Sequence, residues 1–340
     1  ILRQRIRDKI ASLSAATLAA LTKALLDVSD AANAQKISKL NIFEDFANDT
    51  VFAYINPGLG AFAATIDQGI TDTLSVVMGI GATNLTVNNG SDFPVASLDN
   101  AQFLILDTDN ADGLLQTLQV QEVVGNLVAV LFTLQGGPAG IGTQVAIAEV
   151  VSASVEFNQK YFFLNNTPVV RESDAIYVVS NLPINTSTTT RQIRGQDYII
   201  NEAMGQIEFL DAASSNDGAS HLPPVASMVL VVYDSYSGLV RTAQQTIDGD
   251  LTSPLITPGV RSAGVKVLVE PAARELVDFI LNITVDVSVS TFGTAQFLTE
   301  QAVIAYVASL DVGKDIILAE IFDSVMEIPG VTNLKVLGPA

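Results

Sequence analysis

His221 is the single histidine of the chain, and a lone imidazole becomes a general base only beside a nucleophile and an orienting carboxylate. No G-x-S-x-G serine accompanies it, no partner carboxylate is evident from the sequence, and the neighbouring Pro223 and Pro224 place it in a loop. It is expected to be exposed and structurally idle. The run Asp107, Asp109, Asp112, Gly113 has the acidic spacing of a calcium loop, but Ala111 falls at the fifth position and Leu118 at the twelfth, where a bidentate Glu is needed. A solvated hairpin turn is expected instead. Gly58, Gly60 and Ala63 form a degenerate G-x-G-x-x-A that follows a helical pattern rather than a strand, with no acidic residue about 20 positions on, so it does not read as a dinucleotide site. Glu44 and Asp45, flanked by Phe43 and Phe46, read as the solvated edge of a helix. With 36 acidic residues, carboxylate pairs of the glycosidase kind are always available, yet nothing selects one.

Elemental composition removes further chemistry. The absence of cysteine rules out disulfides, thiolate zinc sites and thiol nucleophiles, and one histidine rules out multi-histidine metal motifs. No catalytic residue, metal site or cofactor is expected, and the chain reads as a structural or binding protein rather than an enzyme. The 340 residues carry 17 Lys and Arg against 36 Asp and Glu, a formal net charge of −19, so phosphate binding through counterion release is not expected and nucleic acid is excluded as a partner.

The charge is unevenly placed. Arg3, Arg5, Arg7, Lys9, Lys23, Lys36 and Lys39 open the chain, and the next base is Lys160; between them every charge is negative. Such polarity fits a solvated module or a surface that steers a basic partner. Val123 to Ala148 lacks any charge, but Gly125, Asn126, Gly136, Gly137, Pro138, Gly140 and Gly142 interrupt it too densely for a spanning helix of about 20 apolar residues. No membrane insertion and no secretory signal are expected, and a start at Ile1 leaves room for preceding residues.

The positioning elements follow from periodicity. Leu2, Ile6 and Ile10 repeat every four residues, and after a Ser14 cap, Leu18, Leu21, Leu25 and Val28 form a short coiled-coil-like seam. Leu40, Phe43, Phe46 and Ala47 continue the helical pattern until Asn56, Pro57 and Gly58. From Leu74 to Ala148, short strands alternate with turns: Leu85 and Val87, Phe103 to Leu106, Leu118 to Val124, and Leu127 to Leu134. Ile176 to Val179, Tyr198 to Asn201, Gln206 to Leu210 and Met228 to Tyr233 are further strands, with a hairpin turn at Glu202 to Gly205. Ile283 to Val289 alternates as a half-buried strand, Thr294 is placed to cap a helix through Leu310, Gly313 ends it, Ile317, Ile321 and Val325 mark a second helix, and Pro329-Gly330 leads into a strand Val331 to Leu337. The expected fold class is α+β and multidomain: N-terminal helices at 1–60, an acidic β module of barrel or sandwich type at 70–150, a second β-rich region at 151–255, and a C-terminal β-α-α-β domain at 256–340.

The passage Arg261-Ser-Ala-Gly-Val-Lys-Val-Leu-Val-Glu-Pro, the strand Asn282 to Val289, Ala305-Tyr-Val-Ala-Ser-Leu310, Gly313, Ile321 and Ile328-Pro-Gly-Val-Thr-Asn-Leu-Lys-Val336 together resemble the last domain of the baseplate J-like family, the wedge proteins of contractile phage tails and related injection systems. The resemblance covers roughly the last 80 residues, and the acidic β module departs from the family's pattern. It implies a structural component of a tail baseplate, located in the virion and assembled in the host cytoplasm. Copies would pair within a wedge through their C-terminal domains, Leu310, Ile317, Ile321 and Val331 being the candidate contacts, and wedges would join into a sixfold ring around the hub and rearrange on contraction. The N-terminal seam of Leu18, Leu21, Leu25 and Val28 would bundle with another wedge protein. The alternative from a different class is a tail-associated or surface adhesin whose β modules bind glycans.

Overall fold

A computed structural model of the chain describes residues 18–30, 35–45, 50–56, 66–67, 71–73, 75, 84–88, 103–107, 115–124, 127–130, 144–181, 188–249, 259–260, 265–273 and 277–339. The fold is mixed α+β. It divides into two units, one made from both ends of the chain (Ile1–Ala64 and Gly238–Ala340) and one from its middle (Thr65–Ser237). The first unit opens with α1 (18–26), β1 (Ser29–Asp30), β2 (Gln35–Lys36), β3 (Lys39–Asp45) and β4 (Thr50–Asn56). The middle unit runs through β5 (Ile66–Asp67), β6 (Thr71–Thr73), β7 (Asn84–Thr86), β8 (Phe103–Asp107), β9 (Leu115–Val124), β10 (Leu127–Val130), β11 (Gln144–Ser152), β12 (Tyr161–Phe163), β13 (Ala175–Ser180), β14 (Thr188–Arg191), β15 (Tyr198–Asn201), β16 (Gln206–Phe209), β17 (Met228–Val232) and β18 (Ser235–Tyr236). The chain then returns to the first unit with α2 (Gly238–Asp248), β19 (Lys266–Pro271), β20 (Phe279–Val285), α3 (Phe292–Ser309), α4 (Leu318–Met326) and β21 (Val331–Pro339).

The middle unit is organised around β11. Its first residues, Gln144 to Ala146, pair with β6 on one edge and β8 on the other, and its last, from Glu149, pair with β17. The acidic module and the β-rich region after it therefore share one antiparallel sheet, in the order β14-β13-β17-β11-β8-β9-β10-β7. Ile176 to Val179 and Met228 to Val231 are unbroken apolar runs because both faces of this sheet are covered. Ile176, Val178, Val229 and Val231 pack with Phe162, Ile200, Ile207 and Phe209 of a second, three-stranded sheet ordered β12-β16-β15. On the opposite face Tyr177, Val179, Met228 and Leu230 pack with Ile105 and Ala148. Strand β14 lies against β9, so the sheet curls around that second core, but no ladder joins the two and the described strands form no closed barrel. The expected turn at Glu202 to Gly205 joins β15 to β16, and Gly205 takes the left-handed φ of +61° that such a turn asks of glycine.

In the first unit, β4 lies between β3, antiparallel, and β19, parallel. This corrects the helical pattern read through Leu40 and Phe43: those residues, and Glu44 and Asp45 with them, lie in β3. Among the described part of 1–60, residues 18–26 are helical and 39–45 and 50–56 are strands. The physical reason is the partner rather than the period. Thr50, Val51, Phe52, Tyr54 and Ile55 are β-branched or aromatic, and Phe43 stacks across the ladder on Phe52 and Tyr54 with ring centroids 5.4 and 5.7 Å away. The Gly58 pattern, Ser14, Asp109 and Asp112 lie outside the described residues.

Candidate interaction surfaces

The last 60 residues assemble two helices, which connect β20 to β21, against the antiparallel β20-β21 pair. Ala295, Ile321, Val325, Ile328, Val331 and Leu334 form its core, with Leu281, Ile283 and Tyr306 packed against it. Strand β20 starts and ends earlier than its alternating sequence predicts, at Val285 rather than Val289. Asp286 stops it: its Oδ1 accepts bonds from the Ser288 amide at 2.9 Å and hydroxyl at 2.7 Å, a local turn that outcompetes the ladder. The same bonds hold its carboxyl below the usual carboxylate range. Val287 and Val289 are consequently 80% and 62% exposed. The cap of α3 is Thr291, not Thr294; the Thr291 hydroxyl accepts from the Thr294 amide at 3.3 Å. At the other end of α3, Lys39 of β3 donates its ammonium to the carbonyls of Ala308 and Leu310, where the helix leaves acceptors unpaired. The Tyr306 hydroxyl accepts the Ile317 amide at 2.9 Å and fixes the start of α4.

What this packing leaves open is the notable part. Of the four residues expected to self-pair, Ile321 and Val331 are buried in the core just described, Leu310 is half-buried, and Ile317 is exposed. The larger open surface belongs to α3 itself. Phe297 and Ile304, two turns apart on the side away from Ala295 and Thr299, are 59% and 54% exposed. Phe292, Leu298 and Val307 are exposed as well, as are Leu318 and Phe322 of α4. Glu300 is the single charged residue in the eighteen of α3. The signal was in the sequence, as an apolar helix too uniform to have one wet face.

The seam at the start of the chain also divides. Leu21, Leu25 and Val28 are buried in the fold, while Leu18 remains 44% exposed with Leu26 beside it on the open side of α1. Of the expected bundle contacts, only Leu18 therefore faces outward among the described residues.

His221 differs from its expected idleness. Its Nδ1 lies 2.7 Å from Asp197 Oδ1, and its Nε2 lies 3.1 Å from both oxygens of Asp217. Both carboxylates were hidden from sequence reading, Asp197 because it arrives from the 193–197 turn. The backbone reinforces the clamp, since the His221 amide donates to the Leu210 carbonyl and the Leu210 amide to that of Asp197. Hydrogen bonding to Asp217 raises the imidazole above its ordinary value, and Asp217 in turn is held down to about 2, first by the Ala219 amide and then by His221. With a carboxylate on each nitrogen the ring has no hydroxyl to activate. Beside it, Arg194 bridges Asp174, at 2.6 Å, and Glu202, while the Tyr198 hydroxyl donates to the other Asp174 oxygen at 2.7 Å. Burial, and then that bond, push the Tyr198 hydroxyl well above the usual phenol range.

Among the described residues, no group of three or more His, Cys, Asp or Glu side chains is placed to hold a metal ion, and no helix is long and apolar enough to cross a membrane. Compared with known proteins, the sequence matches no family model and no curated protein.

Proposed function

We propose that the protein is a structural component of a contractile tail baseplate, a wedge protein that pairs with a second copy through its C-terminal β-α-α-β domain and joins other wedge and hub proteins in a ring. In this reading the open side of α1, at Leu18 and Leu26, engages a neighbouring wedge protein, the β-rich middle forms the body, and tail contraction rearranges the modules around their interfaces. The observation that carries it is the outward side of α3. Phe297 and Ile304 on that side, with Phe292 and Val307 of α3 and Leu318 and Phe322 of α4, are each more than a third exposed, apolar side chains of the kind an interface covers. A second copy suits this surface because an almost uncharged helix face meets its own two-fold mate without like-charge repulsion.

Sedimentation of the full chain across a concentration series tests it. Self-association is expected, and Phe297→Glu with Ile304→Glu is expected to leave a folded monomer. A wild-type chain that stays monomeric at high concentration, together with its absence from tail-like particles in electron micrographs, overturns the reading.

One observation favours the adhesin alternative. Tyr161 and Phe163 point outward from β12 beside Gln206 and Glu208 of β16, and Phe157 nearby is 80% exposed, an aromatic surface bordered by groups that bond hydroxyls. Glycan-array binding lost in Tyr161→Ala and Phe163→Ala would support it over the wedge reading.

A further inference from the structure

The clamp on His221 demands a particular protonation state. A neutral imidazole has one donor and one acceptor, whereas here both ring nitrogens face carboxylate oxygens, and carboxylates only accept. The arrangement is satisfied in full by imidazolium alone. Removing its proton sets a nitrogen lone pair against a carboxylate, and one of the two contacts must open.

Which one opens follows from the anchoring. The Asp197 side chain is nearly enclosed, and its second oxygen accepts the Ile193 amide at 2.7 Å. Asp217 is half-exposed, and apart from His221 its carboxylate is held only from within its own loop, by the Ala219 amide at 2.8 Å and by the Ser215 hydroxyl. Between Asp211 and His221 the chain is bound mainly to itself: Asp211 accepts from the Ala213 and Ser214 amides, and Ser215 donates to the Ala219 carbonyl. The charged groups facing the ring are Asp197 from the 193–197 turn and Asp217 from its own loop. Nearby Asp211 is engaged by Lys160, at 3.7 Å, and by Ser214, while Arg194 is committed to Asp174 and Glu202.

We infer that His221 is a protonation latch, which ties residues 211–220 to the 193–197 turn while the ring is charged and frees that loop at Asp217 when the ring loses its proton. The direction follows from the linkage. A histidine held above its unfolded value contributes its full stability below about pH 6.5 and loses it as pH rises through the folded value. The Asp217 side of the same bond is lost only in strong acid, as pH falls from about 4 toward 2. The latch is thus closed in mild acid and opens toward alkaline pH.

Hydrogen exchange of the full chain, corrected for intrinsic rates and followed from about pH 6 to about pH 9.5, tests it. Protection of residues 211–220 is expected to fall by about fivefold or more over that range while the β16 and β17 amides hold steady. In His221→Gln the loop should exchange fast at every pH. Flat protection in the wild type, or the same fall in His221→Gln, overturns the inference. Should that variant fail to fold, the histidine resonance gives an independent reading, since one imidazole produces one titration curve. Its midpoint should lie above 6.5 and drop in Asp217→Asn; a midpoint at or below 6.5, or one unmoved by Asp217→Asn, also overturns it.

Discussion

Asp174 exposes none of its side chain, yet its charge is tolerated because Arg194 and the Tyr198 hydroxyl each take one oxygen. The value of such a pair appears when half of it is removed. Arg194→Ala is expected to cost about 2–3 kcal/mol in urea denaturation, since it strands a buried carboxylate, and Arg194→Lys to recover only part, because an ammonium cannot fork between Asp174 and Glu202. A backbone constraint of similar weight sits at Gly330. Its φ is +90°, and a Cβ there would stand 2.8 Å from that of Ser290, while its carbonyl accepts the Asp286 amide at 2.7 Å. Gly330→Ala is expected to destabilise the C-terminal β-α-α-β unit by about 1–3 kcal/mol, read as a lowered urea midpoint with an unchanged slope.

At the scale of elements, α2 guards an edge. Strand β19 is paired with β4 on one side, and on its other side the Gln244 amide stands in for a further strand, donating to the Val267 carbonyl at 2.9 Å and accepting from the Val269 amide at 2.8 Å. Gln244→Leu would keep the volume and leave both backbone groups buried without partners, a loss of about 2–4 kcal/mol by chemical denaturation. Legibility differs sharply between elements. Strands β13, β15, β16, β17 and helices α3 and α4 could be read in place, because their apolar runs and turn residues carry the information locally. The β3-β4 hairpin could not, since helical spacing at Leu40 and Phe43 competed with a ladder whose third strand, β19, comes from far along the chain. Nor could α2, whose polar Gln244 is buried because its side chain bonds the backbone of β19. The interface candidates divide for the same reason: Leu21, Leu25 and Ile321 lie on helical apolar stripes and Val331 opens β21, all four are buried in this fold, and an apolar pattern does not say whether its own chain or another covers it.

Across the whole molecule, charge separates from greasy surface. The middle unit, Thr65–Ser237, holds 18 carboxylates against four basic side chains, whereas the outward face of α3 is nearly uncharged. Raising salt from about 50 to 500 mM shortens electrostatic reach from roughly 14 to 4 Å. If the chain builds the proposed baseplate, sedimentation velocity of the assembled particles is expected to show contacts of the first 160 residues weakening over that range, with the proposed pairing through α3 unchanged or tighter.

The parallel pairing of β4 with β19 also sets a schedule. Strand β4 leaves the ribosome early, but its neighbour follows only after all of the middle unit has been made. Until then β4 offers an open edge, and closing the gap as a loose loop carries the entropy of a very long one. A middle unit that folds first brings Ile66 and Tyr236 together through the β5-β18 pairing, which shortens that search. Early folding of the middle unit is thus expected to help the unit built from the two chain ends, and variants that slow the middle unit should leave nascent chains prone to pairing through β4 with the wrong strand.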